Sequence, residues 1–335
     1  MPAQKFAVDF DSAYTNIYKL GSGLVLSEPT VAAVEEGEKG EVKAIGAEAS
    51  RLIGKTGKNT AIVFPVFEGE IVNVKVAAGL LSGFLKKAGY KGFSLGASVL
   101  FSVPCGADYK MLEAYKEVAS ACGIGKVYFA ETPVLSALGQ RIPFTESKPC
   151  FVIDMSGGVT NIAALSLDGI IAGVSANFGG NKISADLIDY IAERFNLQVG
   201  LLTAERLKRE IGSLESGDAL SAVVNGRDLS TGAPRALAVK AMEIAAPIKK
   251  YYDKIAEIAM SVLKKLPPEV SAEIRRSGLY VSGSESGVYG LEGYYQEKFG
   301  MKVTVAETGS AAAALGGGAA LGDEELLKKI IIKFN

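Results

Sequence analysis

Two stretches of the chain bring together residue types that can do ionic chemistry. One runs Phe6-Ala-Val-Asp9-Phe-Asp11-Ser12-Ala-Tyr-Thr15-Asn16-Ile17, and the other Phe151-Val-Ile-Asp154-Met-Ser156-Gly157-Gly158-Val-Thr160-Asn161-Ile162. In the second, Asp154 offers a carboxylate suited to a hydrated Mg²⁺, Gly157 and Gly158 leave the backbone open to a close ligand, and Ser156 and Thr160 add hydroxyls. The stretches align without a gap at an offset of 145 residues, and Phe6, Asp9, Thr15, Asn16 and Ile17 meet identical partners. Such short likenesses also arise between unrelated strand-turn-strand units.

What is missing narrows the chemistry further. The chain of 335 residues contains no histidine, which removes Ser-His-Asp and Cys-His nucleophilic sites and histidine-ligated metals. Cys105, Cys122 and Cys150 are far apart and read as reduced core residues, not as a zinc site or disulfide framework. A formal net charge of −1, with dispersed Lys and Arg, offers no basic field for a nucleic-acid backbone. No uninterrupted apolar run reaches membrane-spanning length, and the opening residues lack a signal-peptide core, so a cytoplasmic protein is expected. Apolar residues at 48% and the length together favour two domains, each with its own core.

The elements that must position these residues repeat as well. In each stretch a β-branched run reaches Asp, turns over small residues and resumes as an alternating strand, ending at Tyr18 or Leu165, the pattern of a β-hairpin. Further β-like segments such as 30–34 follow. Helical spacing of Val76, Leu80, Leu81, Phe84 and Leu85 marks 75–87, before a strand over 99–103 and a helix over 109–121. After strands reaching Val174, the second half continues with helices over 182–195 and 204–211, and a long helical pattern over 239–266 that Pro267-Pro268 ends. A strand over 278–281 leads into Gly283.

Together these segments resemble the MreB family of bacterial actins from Phe6 to about Leu321. The pieces that carry the likeness include Ser27-Glu-Pro-Thr-Val31, Ile45-Gly-Ala-Glu-Ala49, Val103-Pro-Cys-Gly106, Glu205-Arg-Leu-Lys-Arg-Glu-Ile-Gly212, Asn225-Gly-Arg-Asp-Leu229 and Gly316-Gly-Gly318. The resemblance implies an α/β actin-like (ribonuclease H-like) duplicated two-lobe fold with small subdomains and an interlobe nucleotide cleft. The first lobe is expected over 1–145 with a small subdomain at about 33–66, the second over 146–314 with one at about 182–243, and 315–335 returning to the first. It further implies ATP or ADP with Mg²⁺ in the cleft and head-to-tail self-assembly into filaments, with 223–235 in the subdomain that makes the contacts.

Carried onto this sequence, the family's pattern assigns Asp9 and Asp154 to the metal side. Asp11, Ser12, Ser156, Gly157, Gly158, Thr160, Gly179, Gly180, Glu205, Lys208, Gly283 and Ser284 fall on the nucleotide side. Several positions depart from it. Asp11 stands where the family has glycine, placing a carboxylate against a phosphate. Ser284 and Glu285 replace glycines under the adenine, and Asn181 and Asn73 replace aspartates. The hydrolytic position, a glutamate directly before proline, is Thr132 in Glu131-Thr132-Pro133, so Glu131 substitutes only if the backbone shifts. The expected protein is therefore a cell-shape or scaffold filament with weak or absent ATP hydrolysis. The alternatives are an active ATP-dependent filament and a small-molecule kinase or chaperone-type ATPase on the same fold; the last calls for a substrate carboxylate or an added peptide-binding domain. Phe93 and Leu95, in a glycine-rich loop, are the candidates for membrane contact. The segment 323–335, with Leu326, Leu327, Ile330, Ile331 and Phe334 in a stripe, suits docking on the first lobe, a partner or a membrane.

Overall fold

The structure, a computed structural model, describes residues 3–37, 40–92, 96–143, 148–167 and 169–333. The chain opens with the meander β1 (Lys5–Phe10), β2 (Tyr14–Lys19) and β3 (Gly23–Pro29), then the smaller strands β4 (Ala32–Glu35) and β5 (Val42–Ile45), helix α1 (Gly46–Ser50) and strand β6 (Thr60–Val63). The short pair β7 (Val66–Phe67) and β8 (Glu70–Ile71) precedes α2 (Val74–Lys87), β9 (Ser98–Val103), α3 (Tyr109–Ala121), β10 (Lys126–Glu131) and α4 (Thr132–Gly139). A second meander follows: β11 (Cys150–Met155), β12 (Thr160–Ser166) and β13 (Gly169–Ala176). It leads through α5 (Gly180–Phe195), β14 (Leu197–Gln198), α6 (Leu201–Ile211), β15 (Ser221–Asp228), β16 (Pro234–Lys240), α7 (Ala241–Leu263) and α8 (Pro268–Ser277) to β17 (Leu279–Ser282). The chain closes with α9 (Leu291–Phe299), β18 (Val303–Val305), α10 (Ala312–Gly322) and α11 (Glu324–Ile330).

Two five-stranded sheets share one topology. The first has the order β3-β2-β1-β9-β10 and the second β13-β12-β11-β17-β18. In each, the first three strands pair antiparallel and the last two join parallel. The duplication suspected from twelve residues thus extends over both lobes.

Strand alternation distributes the cores. Phe6, Val8 and Phe10 point into one core with Phe84, Phe101 and Tyr115, while Phe151, Ile153 and Met155 point into another with Leu187, Ile248 and Tyr252. The opposite faces of both sheets, represented by Ala7, Leu100, Val152 and Ala163, share a third core with Leu135 of α4 and Leu321 of α10. These two helices lie where the lobes join. A Cβ on Gly316 would sit 1.8 Å from the Leu135 carbonyl oxygen, and one on Gly139 would sit 1.9 Å from that of Ala312. Three successive glycines weaken a helix, yet none has room for a side chain: Gly316 meets α4, a Cβ on Gly317 would lie 2.7 Å from that of Ala7, and one on Gly318 would lie 2.3 Å from the Tyr18 ring.

Some sequence expectations change at their edges. The helical pattern over 239–266 starts at Ala241, because Val239 and Lys240 pair with β15 across Ala222 and Ser221. Asn73 caps α2 by accepting the Val76 N–H at 3.0 Å. The last segment docks on the first lobe: Leu327 and Ile330 are buried in the shared core, and the Ile332 N–H donates to the Phe129 carbonyl at 2.8 Å. Phe334, like Phe93 and Leu95, lies outside the described residues. Of the cysteines, only Cys150 is buried; Cys105 and Cys122 are half-buried, and burial pushes all three thiols up to about 12.

The interlobe cleft as candidate functional site

The turns after β1 and β11 face each other across the junction of the lobes. They approach closely because Gly157 and Gly158 lack side chains. A Cβ on Gly157 would meet that of Ala13 at 2.2 Å, and one on Gly158 would meet Ser12 Oγ at 2.2 Å. Into this contact projects Asp11. Its Oδ2 accepts the N–H of Gly157 at 3.0 Å and of Ala13 at 3.1 Å, and its Oδ1 accepts the N–H of Gly158 at 3.4 Å. A carboxylate therefore stands where hairpin amides of this kind would hold a phosphate. Burial holds Asp11 above the usual carboxylate range, and these amides pull it back.

The two aspartates assigned to the metal side are both buried. Burial pushes Asp9 well up, and the charges of Asp11 and Asp154 add to the shift. Asp154 is also raised by burial, but three hydroxyls counter it: Oδ2 accepts from Ser136 and Ser282 at 2.7 Å each, and Oδ1 from Ser156 at 3.0 Å. Most of its acceptor capacity is thus used inside the protein. No group of three or more acidic or thiol side chains able to hold a metal occurs among the described residues. Ser12 Oγ and Asn16 Oδ1 are buried without a protein partner, places where an ordered water or a ligand would be accepted. As arranged here, the residues do not fit a magnesium nucleotide. Its anion position is filled by Asp11, and its cation side meets a carboxylate whose oxygens already accept from three serines.

At the other end of the cleft a cavity of about 440 Å³ is lined by Ser12, Tyr14, Phe64, Arg209, Ser284 and Val288 among others. Glu205 and Lys208 border it from α6, one turn apart, as their spacing predicted. Lys208 Nζ also bonds Glu285, 3.1 Å away, and the Gly180 carbonyl at 3.1 Å, while Ser184 donates to Glu205. Burial depresses Lys208, yet Glu285 and Glu205 outweigh it and hold the ammonium above its ordinary value. Burial raises Glu285, with Lys208 opposing. A Cβ on Gly180 would lie 2.0 Å from Glu285 Oε1 and force that side chain to move, and Gly283, at φ 95°, would place one 2.2 Å from the Met155 carbonyl oxygen. The N–H of Gly180, at the start of α5, is taken by the Ser156 carbonyl, and Gly179 packs against the same carbonyl.

Thr160 turns away from the cleft to donate to the Phe178 carbonyl at 3.0 Å, and Thr15 pairs with Thr30 at 2.8 Å. Both threonines therefore pin the second strand of a meander to the end of the third. Thr132 is buried, bonded to Ser102 at 2.8 Å and to the Val103 carbonyl at 2.9 Å. Glu131 accepts the Gly106 N–H at 2.8 Å and lines a separate cavity beside Lys329 and Ile331. Sequence reasoning missed Asn16 and Asn161. Asn16 donates to the Ser310 carbonyl at 3.0 Å, and Asn161 accepts the Cys105 N–H at 2.9 Å, so each reaches towards the opposite half. Their identity at matching positions of the duplication was the available signal.

Two duplicated α/β lobes with paired aspartate hairpins at their junction define the actin-like class. The family model for MreB/Mbl protein matches residues 3–329, and the chain belongs to that family. It is 32% identical over 326 residues to the cell shape-determining protein MreB of Escherichia coli (strain K12), covering 96% of this chain and 94% of that protein. With the cell shape-determining protein Mbl of Bacillus subtilis (strain 168) it shares 30% over 330 residues, covering 98% and 99%. The crystal structure of MreB5 of Spiroplasma citri bound to AMPPNP superposes with a TM-score of 0.90 at 27% identity, covering 98% of each chain.

Proposed function

We propose that this chain is a bacterial-type actin-like cytoskeletal protein that assembles head to tail into filaments, organises cell shape or intracellular architecture, and turns ATP over slowly or not at all. Family membership and the cell shape-determining names of its relatives support the cytoskeletal part. The observation that carries the hydrolytic part is Thr132. In-line attack on a γ-phosphate asks for a group that orients water, and this hydroxyl is spent on Ser102 and Val103. Glu131 is engaged elsewhere.

The AMPPNP-bound neighbour supports adenine nucleotide as the ligand class of such a cleft. Here ATP or ADP enters weakly, because it competes with Asp11. The β15–β16 hairpin, where Val223 and Leu229 are exposed, supplies the longitudinal contact. No helix among the described residues is long and apolar enough to cross a membrane. The protein works in the cytoplasm, and association with a membrane surface belongs to the same proposal.

The test is electron microscopy and pelleting of purified protein with ATP, ADP and no nucleotide, with phosphate release measured in the same samples. Polymer in all three, with release near the blank, is expected. Release keeping pace with assembly would instead identify an ATP-driven filament. Phosphorylation of an added small molecule without polymer would identify a kinase.

A further inference from the structure

We propose that Asp11 is a tethered anion, occupying the phosphate cradle of the cleft and bolting the two lobes together in the absence of nucleotide; the meaning of this for assembly rests on the filament reading above. Asp11 belongs to the first lobe, while two of the three amides it holds, those of Gly157 and Gly158, lie 146 and 147 residues away in the second. The third, Ala13, belongs to its own turn. One carboxylate thus draws on both hairpins, as a bound phosphate would.

The surrounding contacts leave the bolt in place. Ala13 and Ser12 abut Gly157 and Gly158 too closely for a methyl group to be added, and the Glu68 N–H lies 3.1 Å from where a Gly158 Cβ would sit. On the Asp154 side the hydroxyls of Ser136, Ser156 and Ser282 take up carboxylate acceptor sites that a metal would use. Both halves of a magnesium nucleotide therefore have internal substitutes, and Asn16 and Asn161 add neutral ties of the same sense. A nucleoside polyphosphate must displace Asp11 to reach the amides. The tethered carboxylate competes at an effective concentration on the order of millimolar or more. A nucleoside without phosphates does not meet this competition.

The experiment compares wild type with Asp11→Gly and Asp11→Asn, each checked for folding by circular dichroism. Affinity for Mg·ATP and for adenosine is measured by calorimetry, and hydrogen exchange of the peptide carrying Gly157 and Gly158 is followed without nucleotide. Asp11→Gly should gain at least tenfold in Mg·ATP affinity, leave adenosine affinity within twofold, and lose protection at 157–158. Asp11→Asn should fall between it and wild type, and carries the test if the glycine variant does not fold. Mg·ATP affinity unchanged in a folded variant, equal gains for ATP and adenosine, or unprotected amides in wild type would each overturn the proposal. Absence of polymer under every nucleotide condition would defeat the filament reading alone, since these binding and exchange results do not depend on assembly.

Discussion

A buried lysine between two glutamates sets what single residues do on the adenosine side of the cleft. Lys208 and Glu285 are each about 10% exposed, so little solvent screens their attraction. Removing one partner leaves the other charged in an apolar setting, a loss that runs to about 3 kcal/mol or more for buried pairs. Lys208→Ala should therefore lower the urea midpoint markedly, and Lys208→Met with Glu285→Leu should recover most of the loss. The pH dependence has a definite sign. Glu285 is already held above the ordinary glutamate range, and losing Lys208 raises it further. A carboxyl raised in the folded state contributes full stability below its unfolded value, about 4.3, and loses it as pH rises through the folded value. The deficit of Lys208→Ala should thus be small near pH 4 and grow towards neutrality in unfolding curves taken across that window.

Helices α4 and α10 decide how the lobes are joined. Their crossing at Gly139 and Gly316 brings backbone against backbone, so a methyl group cannot be absorbed by a rotamer change. Gly316→Ala should cost about 1–3 kcal/mol or more, the range for forced overpacking. Gly322→Ala, at the end of the same helix, meets only Leu20 Cδ1 at 3.7 Å and should be neutral or stabilise by up to about 1 kcal/mol. Chemical denaturation of the two variants side by side checks the contrast. Elsewhere, α5 and α7 are tied by Asp186, which takes Tyr251, Lys182 and Lys250 as partners. Burial opposes its ionisation, but these partners prevail and hold it below the ordinary aspartate range. Asp186→Asn should cost at most about 1 kcal/mol at neutral pH. That difference should vanish as pH falls through the depressed value, as thermal melts at pH 7 and below pH 3 would reveal.

At the scale of the whole molecule, the two lobes are held by the shared core and by polar ties at the turns. Asn161 and Asn16 each satisfy one backbone group that closure has removed from water. Asn161→Ala should leave the Cys105 N–H unpaired and cost about 1–3 kcal/mol, with faster hydrogen exchange at that amide as the local readout. If exchange there stays at the wild-type rate, the tie contributes nothing to closure.

Much of the architecture was legible in the amino-acid order, because it depends on neighbours along the chain. Alternation in 6–18 and 151–165 and spacing in 75–87 and 182–195 specify strands and helices through local pairing and one-sided burial, whereas the helix expected to run to Pro267-Pro268 ends at Leu263 and Pro268 opens the next one. The repeated Asp, Thr and Asn positions disclosed the duplication, and the absence of histidine limited the chemistry before any fold was known. The state of the cleft was decided only in three dimensions. Asp11 reads as a misplaced charge until its amide partners arrive from 146 and 147 residues away. Asp154 reads as a metal ligand until Ser136 and Ser282 close on it across 18 and 128 residues. Glu285 reads as a charge in the adenine pocket until Lys208 meets it from 77 residues away. Hydrogen bonds and ion pairs act over a few ångströms, so which of them form at the junction depends on how the two lobes close, a property that no local pattern encodes.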